Sequence, residues 1–253
     1  MTSNPFDLSG HVALVTGARS GIGQGIAAAL AQAGADIVGV SRSPMSETRR
    51  QVEAHGRRFH ALSADVAALD DGDALIAQAV ALGGRLDILV NNAGTTHRQP
   101  AIDVPASAWD QVMDTNLRAA FVLAQAAARR FRAQGGGGRI INIASMLSFQ
   151  GGVNVVAYAA SKSGLAGLTR ALANEWAAHG INVNAIAPGY IATDLTQAIQ
   201  DDPARNPTIL ARIPAGRWGS PADLGGLAVF LASDAAAYCH GGIYPVDGGW
   251  LGR

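Results

Sequence analysis

The stretch that most constrains this chain lies near its start. Residues 11–16, HVALVT, are a short apolar run rich in valine, followed by a glycine-rich turn and an Ala/Leu/Ile pattern from Ile22 to Ala33. That order predicts strand, turn and helix. Gly34 suits the position just past a helix end, and DIVGVS at 36–41 is a second apolar run, so residues 11–41 predict a βαβ unit. The alternation continues, with strands expected near 59–64, 86–91, 138–144, 181–186 and 242–246. Helices are expected near 46–55, 70–82, 107–133, 158–178 and 221–232. Strands that are apolar throughout and separated by helices imply a parallel sheet covered on both faces. The expected fold is a doubly wound α/β architecture of seven parallel strands, a Rossmann fold.

No Pro/Ser linker, charge block or repeat divides residues 1–253, so a single domain is expected. GGGG at 135–138 sits where a short helix-to-strand connection belongs. The segment near 193–220 differs: three prolines interrupt a weak helical pattern, and it reads as an insertion capping a cleft. Lys+Arg and Asp+Glu are 19 each, and without a basic excess neither nucleic acid nor an anionic membrane surface is an expected partner. Residues 140–161 carry no charge, but Asn142, Ser145, Gln150 and Asn154 within them exclude a membrane span. One cysteine, Cys239, gives no intrachain disulfide, and MTSNPFDLSG lacks the cationic start and apolar stretch of a secretory signal. A cytoplasmic location is expected.

Glycine is over-represented, 31 of 253 residues or about 12% against an average near 7%. Its placement after the first strand, Thr16-Gly17-Ala18-Arg19-Ser20-Gly21-Ile22-Gly23, points to a dinucleotide. Gly17 would allow the tight turn, Gly21 the approach of backbone N–H groups to a pyrophosphate, and Gly23 close packing of helix on strand. A purely structural turn is the competing reading. At the end of the second strand an acidic residue would select NAD and an arginine would accommodate the 2′-phosphate of NADP. Ser41 and Arg42 stand there, so with help from Arg19 they permit NADP. An ordinary solvated loop arginine is the alternative for Arg42.

Tyr158-x-x-x-Lys162 puts two side chains one helical turn apart on one face. Ser145 ends the strand IINIAS thirteen residues earlier, at the carboxyl edge where this fold binds ligands. Interconverting a ketone and an alcohol needs a proton donor or acceptor at the oxygen. Tyr158 takes that role in this reading, Lys162 lowers its pKa toward neutrality, and Ser145 hydrogen-bonds the substrate oxygen.

Taken in order, the TGxxxGxG turn, Asp65-Val66, Asn91-Asn92-Ala93-Gly94, Asn116, Ser145, Tyr158, Lys162 and Pro188-Gly189 make the chain similar to the short-chain dehydrogenase/reductase family over its whole length. The resemblance implies that Asp65 and Val66 hold adenine and that Asn92, Ala93 and Gly94 line the cofactor. It further implies that Asn116 holds a water linking Lys162 to solvent, and that Pro188, Gly189, Ile191 and Thr193 reach the nicotinamide. INIASMLSFQGG, ANEWA, INVNAIAPGY, RIPAGRWG and DGGWL resemble more specifically the sugar-acid dehydrogenases of that family. These are NAD enzymes as a rule, a pattern from which Ser41-Arg42 departs; NAD or NADP both stay open.

A sugar acid brings a carboxylate, for which an arginine is the natural partner. His97 and Arg98 directly follow NNAG and are the first candidates, with Gln150, Arg212, Arg217 and Trp218 behind them. No catalytic metal is expected, because Tyr158 and Lys162 handle the proton. The helix from Tyr158 packs one face on the core; the resemblance implies that the other meets a second subunit of a homotetramer, and the apolar ending DGGWLGR suits burial at such an interface. The expected activity is hydride transfer between NAD(P) and a secondary alcohol or ketone of a sugar acid. A reductase of 3-ketoacyl thioesters or generic ketones is the alternative within the enzyme class. A dinucleotide-binding regulator without turnover is disfavoured by the intact acid–base set.

Overall fold

The computed structural model describes residues 4–253; residues 1–3, part of the stretch read above for a secretory signal, lie outside the described residues. Seven strands are present: β1 (Val12–Thr16), β2 (Asp36–Ser41), β3 (Phe59–Ser63), β4 (Ile88–Asn91), β5 (Gly138–Ile143), β6 (Ile181–Pro188) and β7 (Ile243–Val246). They form one sheet in the order β3-β2-β1-β4-β5-β6-β7, every ladder parallel. The helices are α1 (Gly21–Gln32), α2 (Ser46–Ala54), α3 (Asp73–Gly83), α4 (Ala106–Met113), α5 (Ala119–Gln134), α6 (Val156–Trp176), α7 (Gln197–Gln200), α8 (Arg205–Arg212) and α9 (Gly225–Ala232).

Side chains alternate across each strand, so the sheet feeds two cores. Ala13 and Val15 of β1 pack with Ile26 and Leu30 of α1 and Leu231 of α9 on one face. Val12 and Leu14 pack with Ile76 of α3 and Leu123 and Phe131 of α5 on the other. All five residues of β1 and all eight of β6 are buried, so β1 reads as an almost continuous apolar run, while β6 carries the buried Asn182 and Asn184 among its apolar residues. The chain leaves β1 toward β2 and β3, then returns to place β4 on β1's other side. Ligands bind in the crevice that this reversal opens beyond the strands' carboxyl ends. Among the described residues no helix is long and apolar enough to cross a membrane.

Three segments refine the sequence reading. The helix expected over 107–133 is α4 and α5 joined by a π-helical turn, Asp114–Arg118, with Asn116 in the turn. The helix expected from 221 opens as a 3₁₀ turn, Pro221–Leu224, started by a Ser220/Asp223 capping box. Between 193 and 220 lie α7 and α8; Pro207 sits in the first turn of α8, where a missing N–H is tolerated.

This last segment has a small core of its own. Met146, Ile199, Ile209, Ile213 and Trp250 are buried together, with Leu147, Tyr190 and Trp218 against them. The Tyr190 ring meets Trp218 edge-on at 5.3 Å and Trp250 at 4.9 Å between centroids. Arg212 lies 3.9 Å over the Trp250 ring. The apolar ending is thus explained within the chain: Trp250 is buried in its own fold.

Candidate active site

The glycine-rich turn leaves β1 with φ of +66° at Gly17 and +60° at Gly21, a region that side chains avoid. Gly17 also lacks room, because a Cβ would come within 2.8 Å of Asn92 Nδ2. The reason for Gly23 differs from the one expected. It is buried behind the turn, where a Cβ would overlap the Gly17 carbonyl and Asn92 Nδ2, so it makes space for the turn itself rather than for the strand. Ser20 stands at the N-cap of α1 without capping the helix through its side chain, and Gly21 and Ile22 line the cleft there. A helix N-terminus of this kind favours an anion.

A second turn closes against the first. Thr16 Oγ accepts hydrogen bonds from the backbone N–H groups of Asn92 and Ala93, both at 3.0 Å. Asn92 Nδ2 returns bonds to the carbonyls of Thr16 (2.8 Å) and Gly17 (3.2 Å). The sequence reading quoted Thr16 at the head of the glycine motif but gave it no role; its place as the last residue before the glycines is the signal that would have supplied one.

Around this junction lies a cavity of about 480 Å³. One side is Gly17, Arg19, Ser20, Gly21 and Ile22, the floor Asn92, Ala93 and Gly94. Ser145, Tyr158 and Lys162 face Pro188, Gly189, Ile191 and Thr193 on the far side, joined by Asp194, Leu195 and Thr196, which the sequence reading did not single out. A second cavity of about 300 Å³ shares Gly17, Arg19, Ser20, Ala93 and Gly94 with the first and runs on to Ser41, Arg42, Asp65 and Val66. Two adjoining spaces, separated by an uncapped helix start and a cradle only glycine permits, fit the two nucleotides and central diphosphate of a dinucleotide.

Ser145 follows β5 and is 7% exposed; its Oγ accepts from the Leu147 amide at 3.1 Å. Lys162, 4% exposed, donates from Nζ to the Ile143 carbonyl at 2.6 Å and sits 5.7 Å from the Tyr158 ring centroid. Burial pushes the Lys162 ammonium down to about 8. Tyr158 runs against expectation. Burial raises its pKa, while a hydrogen bond with Ser145 and the charge of Arg98 pull only partly the other way. Desolvation of the phenolate is the larger effect, and Lys162 is committed to a backbone carbonyl instead of the phenol.

Asn116 is buried behind this set. Its Oδ1 accepts from the Thr95 amide (2.8 Å), and its Nδ2 donates to the Thr95 carbonyl (2.9 Å) and to Ser161 Oγ (3.0 Å). Ser161 in turn donates to the Tyr158 carbonyl at 2.8 Å. Asn116 therefore ties the segment after NNAG to the turn of α6 that carries Tyr158.

The candidates for the substrate carboxylate separate. Arg98 is exposed at the start of the segment after NNAG, and its positive charge only weakly opposes the burial of the Tyr158 phenol. His97 is engaged by Gln99, 2.8 Å from Nε2 to Oε1. Gln150 lines a different groove, with Phe149, Gly151 and Asn154. Arg217 is turned away: both terminal nitrogens hold Asp223 at 2.8 Å, and it lines a third pocket with Ile213 and Gly248. Arg42 stays at the cleft rim, 3.5 Å from Asp65, whose other oxygen accepts from the Ala67 amide.

Residues 17–251 match a family model described as enoyl-(acyl carrier protein) reductase. The chain is 56% identical over 253 residues to the 2-dehydro-3-deoxy-D-gluconate 5-dehydrogenase of Escherichia coli K12, covering all of both proteins. A solved structure from Agrobacterium tumefaciens with bound NADP is 52% identical, with a TM-score of 0.92 over 99% of this chain and 100% of that one. A gluconate 5-dehydrogenase of Burkholderia cenocepacia, in complex with NADP and tartrate, is 39% identical with a TM-score of 0.92 over 98% of each chain.

Proposed function

The chain belongs to the short-chain dehydrogenase/reductase family and is an NAD(P)-dependent oxidoreductase, and from that premise we propose that it interconverts a secondary alcohol and a ketone on a sugar acid. The substrate class is that of 2-dehydro-3-deoxy-D-gluconate, for which the Escherichia coli relative is named. The observation that carries this reading is the cavity in which Ser145, Tyr158 and Lys162 face Pro188, Gly189, Ile191 and Thr193, in a chain 56% identical to that relative over its full length; Arg98, an exposed guanidinium whose charge reaches Tyr158, is the candidate partner for the substrate carboxylate.

The reaction uses few groups. When bound, the nicotinamide accepts or returns the hydride. Tyr158 exchanges the proton at the substrate oxygen, and Ser145, which lines the same cavity, holds that oxygen in line. A phenol whose pKa is raised by burial is held in its protonated form, so at neutral pH the site is poised as a proton donor, for ketone reduction. Oxidation of the alcohol requires the phenolate and gains as pH rises. Lys162, mostly charged below pH 8, fixes the end of β5 through the Ile143 carbonyl and supplies positive charge near the ring. Asn116 positions Tyr158 through Ser161.

Gly17, Ser20, Gly21, Asn92, Ala93 and Gly94 hold the dinucleotide, with Asp65 and Val66 at adenine and Ile191 and Thr193 at the nicotinamide. Arg42 and Ser41 admit the 2′-phosphate of NADP. Residues 193–220 cap the substrate side, seated on their own small core within a single domain. Trp109, Phe121 and Val156, exposed apolar side chains on α4, α5 and α6, are the candidates for contact with a second copy of the chain in a homotetramer.

The deciding experiment follows NAD(P)H absorbance with 2-dehydro-3-deoxy-D-gluconate, 2-deoxy-D-gluconate, D-gluconate and 3-ketoacyl esters, each with NAD(H) and NADP(H). Turnover of a sugar acid is expected. Turnover of ketoacyl esters alone would sink the proposal.

A further inference from the structure

Thr48 belongs to α2, outside the cleft, yet its side chain reaches the glycine-rich turn. It is fully buried, and its hydroxyl donates to the Ala18 carbonyl at 2.6 Å. Gln24 of α1 completes the arrangement, its Nε2 lying 3.2 Å from the Arg19 carbonyl and 3.0 Å from Thr48 Oγ. The donors are matched one to one: the single Thr48 proton goes to Ala18, and the two Gln24 protons go to Arg19 and Thr48.

A trans peptide is planar, with its C=O and the next N–H pointing in opposite directions. Holding the Ala18 carbonyl against α2 therefore turns the Arg19 N–H away from α2. Holding the Arg19 carbonyl does the same for the Ser20 N–H. Arg19 and Ser20 line both cavities, so the two carbonyl oxygens are kept off the path of an anionic diphosphate and the two N–H groups are left to it. Thr48 also sits in the first turn of α2, just after the 41–45 loop that carries Ser41 and Arg42. One side chain clamps the turn at the diphosphate to the loop at the adenosine ribose.

We infer that Thr48 is a positioning residue for dinucleotide binding, acting through the orientation of the Ala18-Arg19 and Arg19-Ser20 peptides and contributing equally to NAD and NADP. This rests on the reading of the cleft as the dinucleotide site. The test compares Thr48→Val, which keeps shape and loses the donor, with Thr48→Ser, which keeps the donor. Dissociation constants for NADH and NADPH are measured by fluorescence titration, beside kcat at saturating cofactor and the melting temperature.

Thr48→Val is expected to weaken both dinucleotides by the same factor, about tenfold, the worth of one buried hydrogen bond. The kcat at saturation stays at the wild-type value, and Thr48→Ser restores affinity. A melting temperature lowered with both dissociation constants unchanged would make Thr48 a plain packing residue and overturn the inference. If Thr48→Val shows no cooperative unfolding, Gln24→Leu serves instead: weaker binding of both dinucleotides supports the clamp, and unchanged binding refutes it. A wild-type protein that binds neither dinucleotide breaks the underlying reading of the cleft, an outcome distinct from failure of the variants.

Discussion

The two walls of the cleft are held in different ways. On the dinucleotide side, Thr16, Thr48 and Asn92 grip backbone carbonyls and amides, and Gly17 and Gly23 leave room for those grips. Opposite, Met146, Ile199, Ile209, Ile213 and Trp250 hold residues 193–220 in place by apolar packing, with Tyr190 between two indoles. Backbone hydrogen bonds fix orientation through a few stringent atoms, whereas apolar packing tolerates exchange at similar volume. One wall can therefore stay constant among enzymes that share a cofactor, while the other changes with substrate. Between them Tyr158 and Lys162 carry a half-buried phenol and a buried amine, the latter arranged for chemistry at the expense of stability.

If the walls act independently, removing the chemistry should leave dinucleotide binding alone. Tyr158→Phe deletes only the proton-transfer oxygen, and a fall in kcat of roughly 10²–10⁴-fold is expected with cofactor affinity close to wild type. Residual turnover near the wild-type rate would give the acid–base role to another group and dissolve the distinction between the walls.

Gly23→Ala strikes the backbone wall in isolation. The added Cβ overlaps the Gly17 carbonyl and Asn92 Nδ2, neither of which can move without undoing the turn. A loss of about 1–3 kcal/mol in stability is expected from overpacking, together with at least a tenfold weaker dinucleotide. Calorimetry and fluorescence titration separate the two effects. A variant that binds NADPH as the wild type does would show that the turn has slack the geometry denies it.

These walls also differ in how legible they were. The glycine turn, NNAG and Tyr158-x-x-x-Lys162 are short, contiguous motifs, each set by neighbours in sequence, so their residues could be placed on one cavity before any coordinates. Arg217 could not be placed, because what decides its direction is Asp223, six residues on in a capping box. Gln150 likewise faces a groove set by how the loop after β5 folds. Nor does periodicity distinguish the π-helical turn at Asn116 from a continuing α-helix. Thr48 carries no motif at all; only the packing of α2 against the turn gives it a partner. The direction of the Tyr158 shift was missed because burial, a tertiary property, outweighs a charge one helical turn away.

Lys162 measures what the chemistry between the walls costs. Its pKa falls from 10.5 to about 8 on burial, so below pH 8 folded and unfolded chains both carry the proton and the folded state bears the full penalty of about 3 kcal/mol. Between pH 8 and 10.5 the unfolded chain holds more protons, and stability rises with pH. Lys162→Met removes the penalty but loses the bond to the Ile143 carbonyl, worth about 1 kcal/mol. The variant is expected to be inactive, to melt higher than wild type at pH 7, and to lose that advantage as pH approaches 10. A melting difference that does not change with pH would mean the buried amine is not the source of the strain.

The smallest expected effect tests whether the backbone wall discriminates between cofactors or only binds them. Arg42 is exposed and sits 3.5 Å from Asp65, so removing it leaves the fold undisturbed. With NADP the guanidinium faces a 2′-phosphate, and its loss is expected to raise KM about tenfold. With NAD there is no such charge for the guanidinium to meet. Arg42→Ala should therefore lower kcat/KM for NADP while holding it for NAD. The ratio of the two is the quantity to measure, because a change in overall activity cancels from it. An unchanged ratio would reduce Arg42 to a solvated loop residue and leave discrimination to Arg19, whose guanidinium lies 3.6 Å from Asp194 on the opposite wall. In that case specificity for the cofactor would depend on the substrate cap, and the two walls would have to be treated as one.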